Sequence, residues 1–116
     1  MSEGMHLAGA RDAQQRGDRL EAAASVLALL SDRTRLALLD ELGRGEADVT
    51  TLTEVCGAAR PSVSQHLAKL RLAGLVTARK DGRRVVYALR HGHLRRLVDE
   101  ALNVADHQLH SLPPHD

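Results

Sequence analysis

Polar side chains on one face of a predicted helix have the chemistry needed to contact bases and phosphates. In residues 60–72, Val63, Leu67 and Leu70 recur at i, i+4 and i+7, which predicts a helix with one apolar face. The opposite face carries hydrogen-bonding groups rather than a solvating mixture of Glu and Lys: Ser62, Gln65, His66 and Lys69. A glutamine can form two hydrogen bonds with an adenine edge, whereas hydroxyls and imidazoles discriminate less among bases.

The positive charge of the chain is concentrated in and just after this helix. The 116 residues hold 16 Lys+Arg and 15 Asp+Glu, a net charge of +1. Residues 60–96 hold 10 basic side chains and 1 acidic one, Asp81, a net charge of +9, while residues 1–59 and 97–116 each carry −4. A solvated surface would interleave acids with bases. The block instead predicts a polyanionic partner, nucleic acid, with salt-dependent binding.

Histidines near the carboxyl end form a second set of candidate ligands. Five of the seven histidines fall in the last 26 residues. On a predicted helix, His107 and His110 are i,i+3 neighbours and Asp106 and His110 are i,i+4 neighbours, so the three share a face. His93 projects near that face but lies about 21 Å away along the axis. One ion cannot join them within one chain, but antiparallel helices of a dimer would bring His93 of one copy against the other three, forming two symmetric sites.

The predicted ligand set is rich in nitrogen, contains a carboxylate and has no sulfur, which suits Zn²⁺, Ni²⁺ or Co²⁺. Further donors are His91, His115 and His6. Solvated histidines are the alternative interpretation of the cluster. The single cysteine, Cys56, lies at an apolar position and is predicted to be a core residue; it excludes an intramolecular disulfide and fits a reducing cytoplasm.

The elements that must position these residues predict a mainly α, α+β fold, a winged helix-turn-helix in the order α-α-α-α-β-β-α. Helices are predicted to begin at Asp18, at Ser31-Asp32 and at about Thr50, and Gly57 should end the third. Residues 75–78 and 84–89 predict two strands joined by a type I′ turn centred on Asp81-Gly82. We expect a flexible amino-terminal arm over residues 1–17, one DNA-binding and dimerisation domain over 18–112, and a tail over 113–116.

The final helix has more apolar surface than so small a domain can cover. Its apolar positions form a broad arc: Leu94, Leu97, Val98, Ala101, Leu102, Ala105 and Leu109. Burying several such side chains at about 1.5–3 kcal/mol each favours a homodimer. A twofold dimer would also place two recognition helices on one palindromic operator.

Three segments, SDRTRLALLDEL, VTTLTEVCGAARPSVSQHLAKLRLAGLV and RKDGRRVVYAL, resemble the ArsR/SmtB family of metal-responsive bacterial repressors over about residues 20–110. The resemblance implies dimerisation through the first and last helices and release of the operator when a metal binds, although activation or co-repression stays open. It implies that Ser62, Ser64, Gln65 and His66 face the major groove, with a phosphate contact as the alternative for His66. It also implies that flanking phosphates contact a basic set: Lys69, Arg71, Lys80, Arg83 and Arg84.

The carboxyl-terminal histidines are most similar to those of the nickel- and cobalt-sensing members. Zinc-sensing relatives have an Asp where this chain has His91 and a His where it has Val104, so Ni²⁺ or Co²⁺ is favoured over Zn²⁺. Members that sense arsenic or cadmium have cysteines near the start of the third helix, and residues 48–52 contain none.

Other classes of function fit less well. An enzyme is disfavoured because the chain has no HExxH, no nucleophile beside a base and no glycine-rich phosphate loop. No apolar run approaches the roughly 20 residues that span a bilayer, and no signal-peptide pattern opens the chain. The remaining alternative is a metal-independent winged-helix regulator, or a co-regulator that acts with a partner protein; the +9 block favours direct contact with DNA.

Overall fold

The computed structural model describes the backbone of residues 2–111 and the side chains of residues 7–111. Within that range the chain is mostly helical with a small antiparallel sheet, which confirms the predicted winged helix-turn-helix. The elements in chain order are α1 (Ser2–Leu30), α2 (Arg33–Arg44), β1 (Ala47–Asp48), α3 (Val49–Cys56), α4 (Arg60–Leu72), β2 (Val76–Asp81), β3 (Arg84–Leu89) and α5 (Gly92–Ser111). They divide into two compact units, Met1–Asp32 and Arg33–Asp116.

The first unit consists of α1, which is longer than the sequence predicts. The structure has one helix from Ser2, so the predicted helix start at Asp18 is wrong and residues 2–17 are helical rather than irregular. Residues 2–17 contain many strong helix formers and no proline, which offsets the cost of three glycines. Gln14 donates a hydrogen bond to the Asp18 carboxylate over 2.9 Å, as i,i+4 neighbours on a helix can.

The apolar stripe predicted for α1 is largely exposed. Leu20 and Leu27 are exposed, and Leu30 is the one buried side chain among those described on this helix. An exposed row of leucines is unusual on a solvated helix, and we return to it below.

The core of the second unit is aliphatic and drawn from every long element of that unit. Its buried side chains are Leu38, Leu39, Leu42, Leu52, Val63, Leu67, Leu70, Val76, Val86, Leu94 and Val98. The apolar face predicted for the recognition helix, α4, is confirmed, because its three predicted core residues are all buried. In α2 the buried positions include Leu38, whereas the predicted Leu36 is only half-buried.

The strand β1 was not predicted, and it forms because a partner is available. Ala47 pairs with Tyr87 and Asp48 with Val86, which puts β3 in the centre of a sheet ordered β1-β3-β2. Asp48 also caps α3, since its carboxylate accepts a hydrogen bond from the Thr51 backbone N–H over 2.9 Å. As predicted, Gly57 follows α3, in the left-handed conformation at φ 63°.

The two wing strands, β2 and β3, pair from Val76–Leu89 to Asp81–Arg84. The hairpin turn is therefore centred on Gly82-Arg83, one residue later than predicted. Of these two, only Gly82 has a positive φ, 63°. That pattern belongs to a type II′ turn, which requires glycine at its first central position, and not to the predicted type I′ turn.

Helix α5 packs on α2 and β3 through its amino-terminal half, where Leu94 and Val98 are buried. Beyond that point its apolar side chains are exposed, with Val104 at 58% and Leu109 at 69%. The prolines predicted to end it, Pro113-Pro114, lie outside the described residues. In the part of the chain that the structure describes, no helix is both long and apolar enough to cross a membrane.

Candidate nucleic-acid interface and metal centre

The outer face of α4 presents most of the residues predicted to contact DNA. Ser64, Gln65 and Lys69 are exposed there, and Arg71 is exposed near the end of the helix. Three exposed positions at i, i+1 and i+5 lie side by side because a helix advances 100° per residue. This surface can donate and accept hydrogen bonds without first breaking a contact inside the protein.

Ser62 and His66, by contrast, are half-buried. They are i,i+4 neighbours and therefore lie on the same side of α4. The Arg35 guanidinium of α2 lies 3.3 Å from His66, Nη1 to Nδ1. The structure thus places the predicted base-reading histidine against α2 rather than on the fully exposed face.

In the wing, Lys80, Arg83 and Arg84 are all exposed, as their predicted role requires. Arg84 also forms an ion pair with the Asp48 carboxylate at 3.5 Å from its Nε. Arg79 bonds to Glu46 with an Nη2–Oε1 distance of 2.6 Å. Two acids from the segment before α3 therefore partly neutralise the wing.

Sequence reasoning missed several residues of this surface. Arg60, the first residue of α4, donates to the Thr50 hydroxyl over 3.3 Å and lies beside the wing. It belongs to the +9 block, and that block was the only signal for it. Arg35 lies outside the block, and nothing in the local pattern linked it to α4.

The predicted metal ligands are distributed along α5. Asp106, His107 and His110 line one shallow depression of about 400 Å³ near the end of the helix. His93 lies in the first turn, so the helix separates it from that depression by about 21 Å. Among residues 7–111, no group of three histidine, cysteine or acidic side chains is arranged to hold a metal ion. One copy of the chain does not assemble the predicted set.

The hydrogen bonds of the two end histidines bear on their fitness as ligands. His110 Nδ1 lies 2.7 Å from the Asp106 carbonyl oxygen. A carbonyl only accepts, so Nδ1 carries the proton and Nε2 is the nitrogen with a lone pair. Metal-binding histidines commonly have their second nitrogen bonded in this way. The donor chemistry of His110 therefore fits a divalent transition metal.

His93 is held differently. Its Nδ1 lies 2.6 Å from Nη2 of Arg96, so the guanidinium donates and Nδ1 accepts. Coordination through Nδ1 would displace Arg96. Coordination through Nε2 would move the ring proton to Nδ1, which also breaks the Arg96 hydrogen bond. His93 can serve as a ligand only if Arg96 moves away.

The other candidates are separated from the depression near the end of α5. His91 is exposed and lines a different depression with Gly43 and Arg95. His115 and the side chain of His6 lie outside the described residues. Cys56 is half-buried; burial raises the pKa of its thiol, and Glu41 adds to that effect, which disfavours a thiolate ligand.

Comparison with known proteins gives a consistent set of relatives. A family model described as a helix-turn-helix domain matches residues 30–79. The chain is 44% identical over 90 residues to the HTH-type transcriptional regulator KmtR of Mycobacterium tuberculosis, covering 78% of this chain and 69% of that protein. It is 39% identical over 84 residues to the HTH-type transcriptional regulator NmtR of the same organism, covering 72% and 70%.

Among solved structures, the chain resembles a homodimeric winged helix-turn-helix DNA-binding domain from Mycobacterium bovis, described as a possible ArsR-family transcriptional regulator. The TM-score is 0.74 at 30% identity, covering 88% of this chain and 94% of that one. It also resembles the transcriptional repressor BigR of Xylella fastidiosa, with a TM-score of 0.69 at 29% identity over 81% and 93% of the two chains. These relatives are transcriptional regulators and not enzymes.

Proposed function

The chain belongs to the ArsR/SmtB family of winged helix-turn-helix transcriptional regulators, and from that premise we propose that it is a homodimeric repressor whose operator affinity is controlled by a transition metal. We propose Ni²⁺ or Co²⁺ as the metal ahead of Zn²⁺. The observation that carries the proposal is the placement of two exposed surfaces on one unit. One joins the polar face of α4 to the basic wing, and the other is the histidine-bearing end of α5.

The first surface supports sequence-specific binding to duplex DNA. An α-helix fits the major groove, and the exposed Gln65 amide matches the donor and acceptor pair on an adenine edge. Ser64 is the second base-contacting candidate on the same face. Exposed cations flank this face and would hold backbone phosphates: Lys69, Arg71, Lys80, Arg83 and Arg84.

A homodimer is supported by exposed apolar surface on both helices predicted to form it. α5 exposes Leu97, Val104 and Leu109, and α1 exposes Leu20 and Leu27. Each such side chain gains about 1.5–3 kcal/mol when it is fully buried, so a second copy is a strong candidate for the cover. The Mycobacterium bovis structure that the chain resembles is described as homodimeric.

The metal site proposed here needs that dimer. Asp106, His107 and His110 of one copy would supply one carboxylate and two imidazoles, and His93 of the second copy would complete the set. A divalent cation bound there would act as a Lewis acid that cross-links two helices. Within each copy, the Asp106 carbonyl orients the His110 ring, while Arg96 competes for the His93 ring.

Control of DNA binding follows from the difference between two dimer geometries. A ligand shifts an equilibrium only by its differential affinity for the two states. Loss of the Arg96–His93 hydrogen bond on coordination is one local difference between them. We expect coordination to favour the geometry that fits the operator less well, as the family implies.

The test combines DNA binding with metal binding on the full-length protein. Fluorescence anisotropy on the promoter of its own operon, with and without Ni²⁺, Co²⁺ or Zn²⁺, should show tight binding that the cognate metal weakens. His107→Ala should abolish the metal effect and leave metal-free binding intact, whereas Gln108→Ala, exposed on the same helix, should change neither.

Three outcomes would contradict the proposal in different parts. No binding to the promoter removes the regulator itself. Metal binding weaker than about 10 µM, unchanged in His93→Ala and His107→Ala, removes the site and leaves a metal-independent regulator. Operator binding that appears only with a second protein present favours a co-regulator.

A further inference from the structure

Three arginines and a threonine surround a depression between the start of α3 and the wing. Arg60 comes from the first residue of α4, Arg83 from the hairpin turn and Arg84 from the first residue of β3, and Thr50 lies in the first turn of α3. The depression has a volume of about 170 Å³. We propose that this phosphate cleft, defined by Thr50, Arg60, Arg83 and Arg84, binds a backbone phosphate of the operator. The proposal rests on the DNA-binding function proposed above.

The donors of the cleft are mostly uncommitted. Arg60 donates to the Thr50 hydroxyl over 3.3 Å, which orients the guanidinium and uses one of its five N–H donors. Among the described residues, neither Arg60 nor Arg83 forms an ion pair with a carboxylate. A planar guanidinium is suited to two parallel hydrogen bonds to a phosphate.

Asp48 moderates the charge of the cleft. Its carboxylate is held by the Thr51 N–H at 2.9 Å and by Arg84 Nε at 3.5 Å. Three cations and one anion leave a net charge of about +2, enough to favour one phosphodiester after that internal pair is formed. Asp48 therefore weakens the attraction of the cleft for DNA without occupying it.

The position of the cleft argues for a DNA phosphate rather than a free anion. It adjoins the start of α4 and the wing, the two elements proposed to lie on the duplex. It is also shallow and open, so a continuous backbone can pass through it. Arg60 would then fix the position of α4 on the duplex, since phosphate contacts set register and carry no sequence information themselves.

The test is the salt dependence of DNA binding by wild-type and variant proteins. Anisotropy is measured between about 50 and 200 mM salt, on the operator and on a random duplex. Arg60→Ala should make the slope of log K against log salt shallower by about 0.9 on both duplexes, the effect of losing one phosphate contact. Arg60→Lys should retain the wild-type slope, and Asp48→Asn, which keeps a capping side chain, should tighten binding to both duplexes.

Arg44→Ala is the matched control, because Arg44 is an exposed arginine at the end of α2 that pairs with Asp40 and Glu41. It should leave the slope unchanged. Operators carrying single neutral methylphosphonates then locate the contact: at one position the neutral linkage should weaken wild-type binding and cause no further loss in Arg60→Ala. A wild-type slope in Arg60→Ala, or additive losses at every position, would overturn the cleft. Saturation of the cleft by inorganic phosphate at concentrations that leave DNA binding unaffected would overturn it as well. Failure of the wild-type protein to bind DNA would instead overturn the function on which the inference rests.

Discussion

The Arg35 guanidinium of α2 and the His66 imidazole of α4 lie 3.3 Å apart, although 31 residues separate them in the chain. Because the guanidinium can only donate, Nδ1 of His66 is the acceptor and the ring proton lies on Nε2. The contact joins the recognition helix to the helix behind it through a partly buried hydrogen bond. The angle at which α4 meets DNA therefore depends on a residue far from the basic block.

We predict that Arg35 and His66 are energetically coupled. A double-mutant cycle with Arg35→Ala and His66→Ala, measured by urea unfolding, should give a coupling of about 0.5–1.5 kcal/mol in the free energy of unfolding. The exposed i,i+4 pair Arg95–Asp99, at 3.9 Å, is the control and should couple by less than about 0.5 kcal/mol. Additive single substitutions at 35 and 66 would show that the contact does not hold α4.

The sequence predicted well those elements whose apolar residues recur at a regular period. The stripe of Val63, Leu67 and Leu70 has the helical period, and all three side chains are buried. β1 has only two residues, too few for any period, and exists because β3 is available to pair with it. The turn was misplaced by one residue because Asp81-Gly82 and Gly82-Arg83 are both acceptable turn centres locally, and the strand register selects the second.

The candidate site was predictable in composition but not in its internal contacts. Charge counting located the wing cations, yet it could not show that Arg79 bonds to Glu46, 33 residues away, or that Arg84 pairs with Asp48. Such contacts depend on how the sheet brings distant segments together. The same holds for His66, whose polar neighbours suggested exposure while the packing of α4 turns it towards α2.

Gln65 should contribute to base recognition. Gln65→Ala should weaken operator binding by about 1–3 kcal/mol and leave binding to a random duplex almost unchanged, because a two-point contact with a base is lost. Lys69→Ala, on the same exposed face, should weaken binding to both duplexes and reduce the salt slope by about 0.9. Anisotropy on both duplexes measures this. Equal losses on both duplexes in Gln65→Ala would remove its base-reading role.

Val104 should lie in the dimer interface. Val104→Asp should raise the dimer dissociation constant at least tenfold, about 1.4 kcal/mol, because a carboxylate would be buried without a partner. Sedimentation velocity over a dilution series measures the change. Leu72 is 92% exposed on α4, outside the helices proposed to pair, so Leu72→Asp should leave the dissociation constant unchanged. A monomeric wild-type protein, or a Val104→Asp dimer as stable as the wild type, would contradict the interface.

Asp48 should make the stability of the second unit depend on acid pH. The Thr51 N–H, with smaller contributions from Arg84 and Arg60, holds the pKa of the Asp48 carboxyl below its ordinary value of 3.8. A carboxyl whose folded pKa is lowered stabilises the fold above its unfolded pKa, and that contribution disappears as the pH falls through the folded value. Asp48→Asn keeps a capping side chain but no charge, so wild type should exceed it in stability near neutral pH, and the gap should close below about pH 3. Urea unfolding at several pH values tests this, with Asp99→Asn as a control for removing a carboxylate from a helix surface. A gap between wild type and Asp48→Asn that stays constant as the pH falls would mean that the charge of Asp48 adds nothing to the cap.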